Sequence, residues 1–176
     1  MKHKCSGYCS NVKLHLTTPI LTSFSILDED EVEINNTNII VKCSNFVFTI
    51  YNNSRHKINV TGIRGFIQIP LVKKILTDRT SLSPHFISAN IKICNSSWHF
   101  AVRHKIDLYK VEQKIAKFYS SLQTRFNPTI FPGLTVRFSS GTAICFGSGK
   151  VNILGLKSTS SFFTLKLKVL DIIYNH

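Results

Sequence analysis

Lys57-Ile-Asn-Val-Thr-Gly-Ile-Arg-Gly65 lies without a gap over Lys150-Val-Asn-Ile-Leu-Gly-Leu-Lys-Ser158, at an offset of 93 residues. Lys, Asn and Gly recur identically, and the apolar and basic positions recur in kind. Within each copy polar and apolar side chains alternate, and period two sends the two sets to opposite faces of a β-strand. Twice the offset is close to the full 176 residues. The chain is therefore expected to be two copies of one unit.

Partner strands precede both stretches. They are Phe46-Val-Phe-Thr-Ile-Tyr51 and Thr142-Ala-Ile-Cys-Phe146. Gly147-Ser148-Gly149 is a hairpin turn signal for the second pair, and the longer Asn52–His56 joins the first. Asp107 is a plausible N-cap or first-turn acid for a helix that places Leu108, Val111, Ile115 and Phe118 on one side and Lys110, Lys114 and Lys117 on the other. A shorter helix is expected after Pro70, using Leu71, Val72, Ile75 and Leu76. The C-terminal stretch fits two periods. Phe163, Leu167, Leu170 and Tyr174 make a helical stripe, whereas Phe163, Leu165, Leu167 and Val169 make a strand. The caps offered by residues 158–161 favour the helix.

Charge narrows the partners. Lys and Arg number 22 against 9 Asp and Glu, a net charge of +13. Five of the nine acids are Asp28, Glu29, Asp30, Glu31 and Glu33, expected in an exposed acidic loop, so the remainder is more basic than the total suggests. A polyanion is the natural partner. With 43% hydrophobic residues and a mean hydropathy of +0.07 the chain can build a core. No apolar run approaches the roughly 20 residues that span a bilayer, and no membrane partner is expected. MKHKCSGYCSNVK leads into no apolar stretch, which argues against a secretory signal. Five scattered cysteines suggest a reducing compartment.

The second copy carries a family pattern. Asn90-Ile-Lys-Ile-Cys-Asn95, Phe131-Pro-Gly-Leu-Thr-Val-Arg137, Ile144-Cys-Phe146 and Ser148-Gly-Lys-Val-Asn-Ile-Leu-Gly155 follow in order. This resembles the second repeat of the TATA-box-binding protein family. The resemblance spans residues 90–174 well and 8–77 weakly. It implies an α+β saddle: two pseudosymmetric halves forming one curved antiparallel sheet, with helices on the convex side. The domains expected are a divergent first repeat at 8–77, a connector at 78–89 and a second repeat at 90–176. Such a sheet lies on the DNA minor groove and kinks it with apolar wedges.

The resemblance also implies residue roles. Phe131 and Phe146 match the two wedge phenylalanines, and Pro132 favours a bend over a central strand. Asn95 matches the central asparagine that donates to minor-groove acceptors, and Asn11, 84 residues earlier, is the best match to its counterpart. Lys150 and Arg137 match cations at the phosphate rails. In the first half Tyr51 replaces one wedge phenylalanine, and no aromatic stands at Asn36–Ile39 for the other. Lys57 and Thr61 match the phosphate lysine and a minor-groove threonine; Leu154 stands where the second threonine falls. Asn59 and Asn152 occupy strand centres where the family face is rich in valine. Asn127 and Thr129 stand where the family contacts transcription factor IIB through glutamates. The first long helix has no convincing match, since Leu21–Leu27 is short and Ser-rich.

The function implied is a transcription initiation factor that recognises AT-rich, TATA-like promoter DNA as a monomer, bends it, and recruits transcription factor IIB-like proteins and RNA polymerase machinery. It would work in a nucleus, or in a viral factory if the source is a virus; the Asn-, Ile- and Lys-rich usage fits an AT-rich genome. The alternative is a saddle that has lost DNA and binds an acidic protein. No enzyme, cofactor or metal is expected. Cys5 and Cys9 lack a second ligand pair. His99 and His104 flank a strand end with no evident carboxylate or nucleophile, and Ser148-Gly-Lys150 lacks the remaining residues of a phosphate loop. The half-fold also occurs as an accessory domain in DNA glycosylases, but 176 residues leave no room for a catalytic domain.

Overall fold

Strand and helix are set by how each segment divides its apolar side chains. The computed structural model describes residues 7–18, 23–51 and 57–174. The chain forms two compact units, Ser10–Asn95 and Ser96–His176 with Met1–Cys9. The division falls within two strands, β1 (Tyr8–Thr17) and β6 (Ile91–Ala101).

The Ser10–Asn95 unit continues with β2 (Glu31–Ile34), β3 (Asn38–Cys43), β4 (Phe46–Tyr51) and β5 (Lys57–Ile63). They pair antiparallel in the order β2-β3-β4-β5-β1. A single 3-10 turn (Phe66–Gln68) leads into α1 (Ile69–Arg79), and α2 (Pro84–Asn90) follows. Thus residues 78–89 hold the end of α1, a turn and most of α2. Val12, Leu14 and Leu16 of β1, Phe46, Phe48 and Ile50 of β4, and Ile58 and Val60 of β5 are buried. They form one sheet face; the intervening residues form the other. Val72 and Leu76 of α1 are buried in the core, while Leu71 is half exposed and adds little to it.

No helix lies between β1 and β2 among the described residues. Residues 21 and 22 of the weak helical candidate fall outside them. Instead Ser25 N donates to Arg79 O (2.8 Å), and Arg79 Nη1 donates to Ser25 O (3.1 Å) and Asp30 Oδ2 (2.6 Å). The expected exposed acidic loop holds for Asp28 and Glu29, which lie exposed in a turn, and is corrected for the other three acids. The Asp30 side chain is fully buried against Arg79, and Glu31 and Glu33 belong to β2. Burial pushes the Asp30 carboxyl up, but the Leu27 amide and the Arg79 guanidinium outweigh it and hold it below the usual value.

The second unit runs β6, α3 (Leu108–Phe118), β7 (Gln123–Asn127), β8 (Phe131–Phe138), β9 (Gly141–Phe146), β10 (Lys150–Leu154) and α4 (Thr159–Tyr174). Its strand order is β6-β10-β9-β8-β7, the order of the other unit with β6 in the place of β1. The 57–65 and 150–158 stretches are thus in equivalent strands, β5 and β10. Each stretch carries a glycine with positive φ, +81° at Gly62 near the end of β5 and +85° at Gly155 just after β10. Asp107 caps α3, its carboxylate accepting from Lys110 N at 3.1 Å. Leu108, Val111 and Ile115 are buried as expected; Phe118, the last residue of the helix, is exposed.

The C-terminal segment is helical, but it buries a different stripe from the one expected. Phe162, Leu165, Val169 and Ile172 face the core, while Phe163, Leu167 and Tyr174 are exposed and Leu170 lies between. The stack of Phe162 on Trp98 sets this rotation (4.2 Å between centroids, 12° between planes). Trp98 Nε1 donates to Ser96 Oγ, which donates to Leu156 O, each at 3.0 Å. The indole is thereby satisfied inside the core. No helix among the described residues is long and apolar enough to cross a membrane.

Two stability measurements follow. Phe162→Ala should cost about 3–5 kcal/mol in denaturant unfolding, while Leu167→Ala, 68% exposed, should cost under about 0.5 kcal/mol. Asp30, with its lowered pKa, contributes stability that is complete above the ordinary carboxylate range and is lost as pH falls through the lowered value. Asp30→Asn should therefore lower the midpoint at neutral pH and flatten the acid limb of stability against pH.

Candidate nucleic-acid interface

Each unit spends one sheet face on its core, and the face left over is where the chemistry stands. In the second unit that face carries Ser97 and His99 of β6, Lys150, Asn152 and Leu154 of β10, Thr142, Ile144 and Phe146 of β9, and Thr135 and Arg137 of β8. The pairings His99↔Asn152↔Ile144↔Thr135 and Leu154↔Thr142↔Arg137 put them in rows. Arg125 of β7 stands opposite Thr135. None of β6–β10 contains an Asp or Glu.

Phe131 and Phe146 come together at one end of this face. Their centroids are 5.9 Å apart and the rings meet edge to face at 70°. Phe131 is 43% exposed despite being a large apolar ring. Gly133 makes this possible: a Cβ there would lie 2.6 Å from Phe131 Cε1 and 2.9 Å from Ile144 Cγ2. The FPG sequence thus lets an aromatic ring lie over bare backbone with one side in solvent. In the next turn Asn127 Oδ1 accepts from Thr129 Oγ1 (2.6 Å) and Thr129 N (3.3 Å), so both polar groups at the acid-substituted positions are engaged locally.

The open face of the Ser10–Asn95 unit differs. Lys57 is opposite Thr17 and Tyr51, Asn59 is opposite His15 and Thr49, and Thr61 is opposite Val47. Tyr51 does not project as a bare ring; its hydroxyl accepts from Asn59 Nδ2 at 3.3 Å. The Asn36–Ile39 segment forms the β2–β3 turn and the start of β3, with no aromatic side chain. On edge strand β2 this face carries acids: Glu33 in the row of Asn59, and Glu31 in the row of Thr61, paired to Lys42 at 2.6 Å. Asn11 and Asn95 are both exposed, on β1 and β6.

Residue-type reasoning missed two histidines. His15 Nδ1 lies 3.0 Å from Asn59 Oδ1, and His99 Nδ1 lies 2.7 Å from Asn152 Oδ1. His99 does not flank a strand end; it sits inside β6, with Tyr8 against its ring at 5.4 Å. A signal was present, since His15 precedes His99 by 84 residues, the spacing of Asn11 and Asn95. His104 is exposed beyond β6. No group of three or more metal-ligating side chains occurs among the described residues, and Cys5 lies outside them.

The arrangement is an open sheet face with donors, cations and an exposed aromatic pair. Residues 90–176 match the family model described as "Transcription factor TFIID (or TATA-binding protein, TBP)". Among solved structures, TBP from Methanococcus jannaschii matches with a TM-score of 0.71 and 23% identity, over 97% of this chain and 99% of that one. The chain carries a domain of the TATA-binding protein family over residues 90–176. Its fold is the α+β fold of that family. No protein of curated function matches the sequence.

Within a TATA-binding-protein fold the Phe131 ring has little to do for stability. Phe131→Ala should shift the unfolding free energy by less than about 1 kcal/mol, because the ring already lies partly in water. A loss in the range of a buried phenylalanine would make it a core residue.

Proposed function

We propose that the protein is a transcription initiation factor that binds AT-rich, TATA-like promoter DNA in the minor groove through its open sheet faces, bends the duplex, and recruits transcription factor IIB-like proteins and the polymerase machinery. It binds as a monomer built from two copies of one unit, and it acts in a nucleus or a viral factory. The observation that carries this is the second unit's open face. There Phe131 and Phe146 share a sheet face with Arg125, Arg137 and Lys150, and no strand of the unit bears a carboxylate. Asn95 and Asn11 supply amide donors, Thr61 and Leu154 line the strands, and Lys57 faces phosphate in the first unit.

The two units contribute unequally. A ring inserted in a base step replaces the stacking it breaks, and the bend must be offset by new contacts. The Phe131–Phe146 pair is built for that, whereas Tyr51 is tied to Asn59, and the edge strand of its unit, β2, bears Glu31 and Glu33. Those acids oppose phosphate and also suit a basic partner, so the Ser10–Asn95 unit is the place where a protein-binding role can replace DNA contact.

Binding of a labelled AT-rich duplex followed against salt tests this. For about five neutralised phosphates, log K should fall with log salt at a slope of roughly −4 to −5. Phe131→Ala should cost about tenfold in affinity, within the range of lost base stacking, and should reduce the bend measured by end-to-end fluorescence transfer. Tyr51→Ala should cost less of both. Equal losses from the two substitutions would remove the asymmetry, and absence of binding would leave the interaction module as the function.

A further inference from the structure

At the centre of each open face a histidine and an asparagine are direct cross-strand partners, His15 with Asn59 and His99 with Asn152. In both pairs the imidazole Nδ1 meets the amide oxygen, at 3.0 and 2.7 Å. A carboxamide oxygen only accepts, so Nδ1 carries the proton in each ring. The consequence falls on the asparagine. With its oxygen held by the histidine, the amide can turn only its NH2 end elsewhere. Asn59 Nδ2 spends one N–H on Tyr51 Oη and retains the other. Asn152 Nδ2 bonds to nothing else among the described residues and is open to solvent. In the first pair His15 Nε2 is also held, 2.9 Å from Thr17 Oγ1, so this ring is fixed from both sides.

An unclamped asparagine offers a donor or an acceptor by rotating its amide. A clamped one keeps its oxygen turned to the histidine, so the end left to meet a ligand is the NH2. The minor groove presents acceptors at every base pair and a single donor, the guanine 2-amino group. An outward NH2 therefore pairs with the edges of A·T and meets guanine donor to donor. We propose that Asn59 and Asn152 read base edges as fixed donors, that His15 and His99 are the positioning residues that fix them, and that the clamp excludes guanine from the base pair each asparagine faces. This rests on the duplex-binding function proposed above. It assigns the reading to two strand-centre pairs, separate from Asn11 and Asn95.

The test uses the full chain and AT-rich duplexes in which each base pair in turn is A·T, I·C or G·C. Inosine lacks the 2-amino group, so I·C shows the groove the face of A·T. Binding of all duplexes is compared at one fixed pH and salt concentration. The unsubstituted protein should bind I·C duplexes like A·T and, at one position per unit, bind G·C about tenfold more weakly. Asn152→Asp still accepts from His99 Nδ1 but turns an acceptor outward. It should weaken all duplexes and reverse the order of G·C and I·C at its position. His99→Phe should narrow the G·C penalty there, because the released amide can rotate to accept from guanine. Identical G·C to I·C ratios in all three proteins would overturn base reading while leaving duplex binding intact. Long-range proton–nitrogen spectra of the unbound protein supply a second readout. They should show the Nδ1–H tautomer for His15 and His99, and the Nε2–H tautomer in either would overturn the clamp. Binding of no duplex, with both Nδ1–H tautomers present, would overturn the DNA-binding function and the base-reading role together.

Discussion

Period-two alternation is the constraint on which everything else depends. In β4, β5, β9 and β10 every second side chain is given to the core, and the residue between is left on the far face. Packing of α4 through Phe162 on Trp98 fixes which face is inside in the second unit. A slip of one residue in β10 would bury Asn152 and expose Val151 and Ile153. The open face is thus a consequence of the core, and its composition is unconstrained by packing. That freedom lets Asn, His, Lys and Thr collect there, together with a phenylalanine pair that the core does not need.

The open faces share a frame and differ in charge. Arg125 stands on β7 of one unit, in the row of Thr135, Ile144 and Asn152. In the other unit the corresponding row, through Ile40, Thr49 and Asn59, begins with Glu33 on β2. A change of sign at one edge position alters how that edge meets a phosphate chain far more than any change of apolar side chain. The same pattern keeps the His–Asn pair in both units, so polarity at strand centres is retained where the edge chemistry has diverged.

Much of the fold was legible because its signals are local. The Lys57–Gly65 and Lys150–Ser158 registers, the GSG turn, the Asp107 cap and the FPGL segment each combine a backbone requirement with a residue type that meets it. What escaped depends on side chains distant in sequence. Asp30 reads as one of five neighbouring acids until Arg79, 49 residues on, buries it. The α4 stripe has two acceptable phases, and only the Trp98 ring selects one. On the open faces, Asn59 and Asn152 stood out by position, but the histidines across the sheet had no sequence neighbour to point to their pairing. The 84-residue spacing of His15 and His99 was the available clue.

On the proposed function the sheet face opposite the core, and not the helical face, meets the duplex. Backbone and side-chain chemical shifts recorded while an AT-rich duplex is titrated into the labelled protein test it most directly. Perturbations should concentrate on Asn59, Thr61, Lys150, Asn152 and the Phe131 ring, with α3 and α4 unmoved. Perturbations confined to the exposed sides of α3 and α4, around Lys110, Lys117 and Lys168, with the open sheet faces silent, would contradict it.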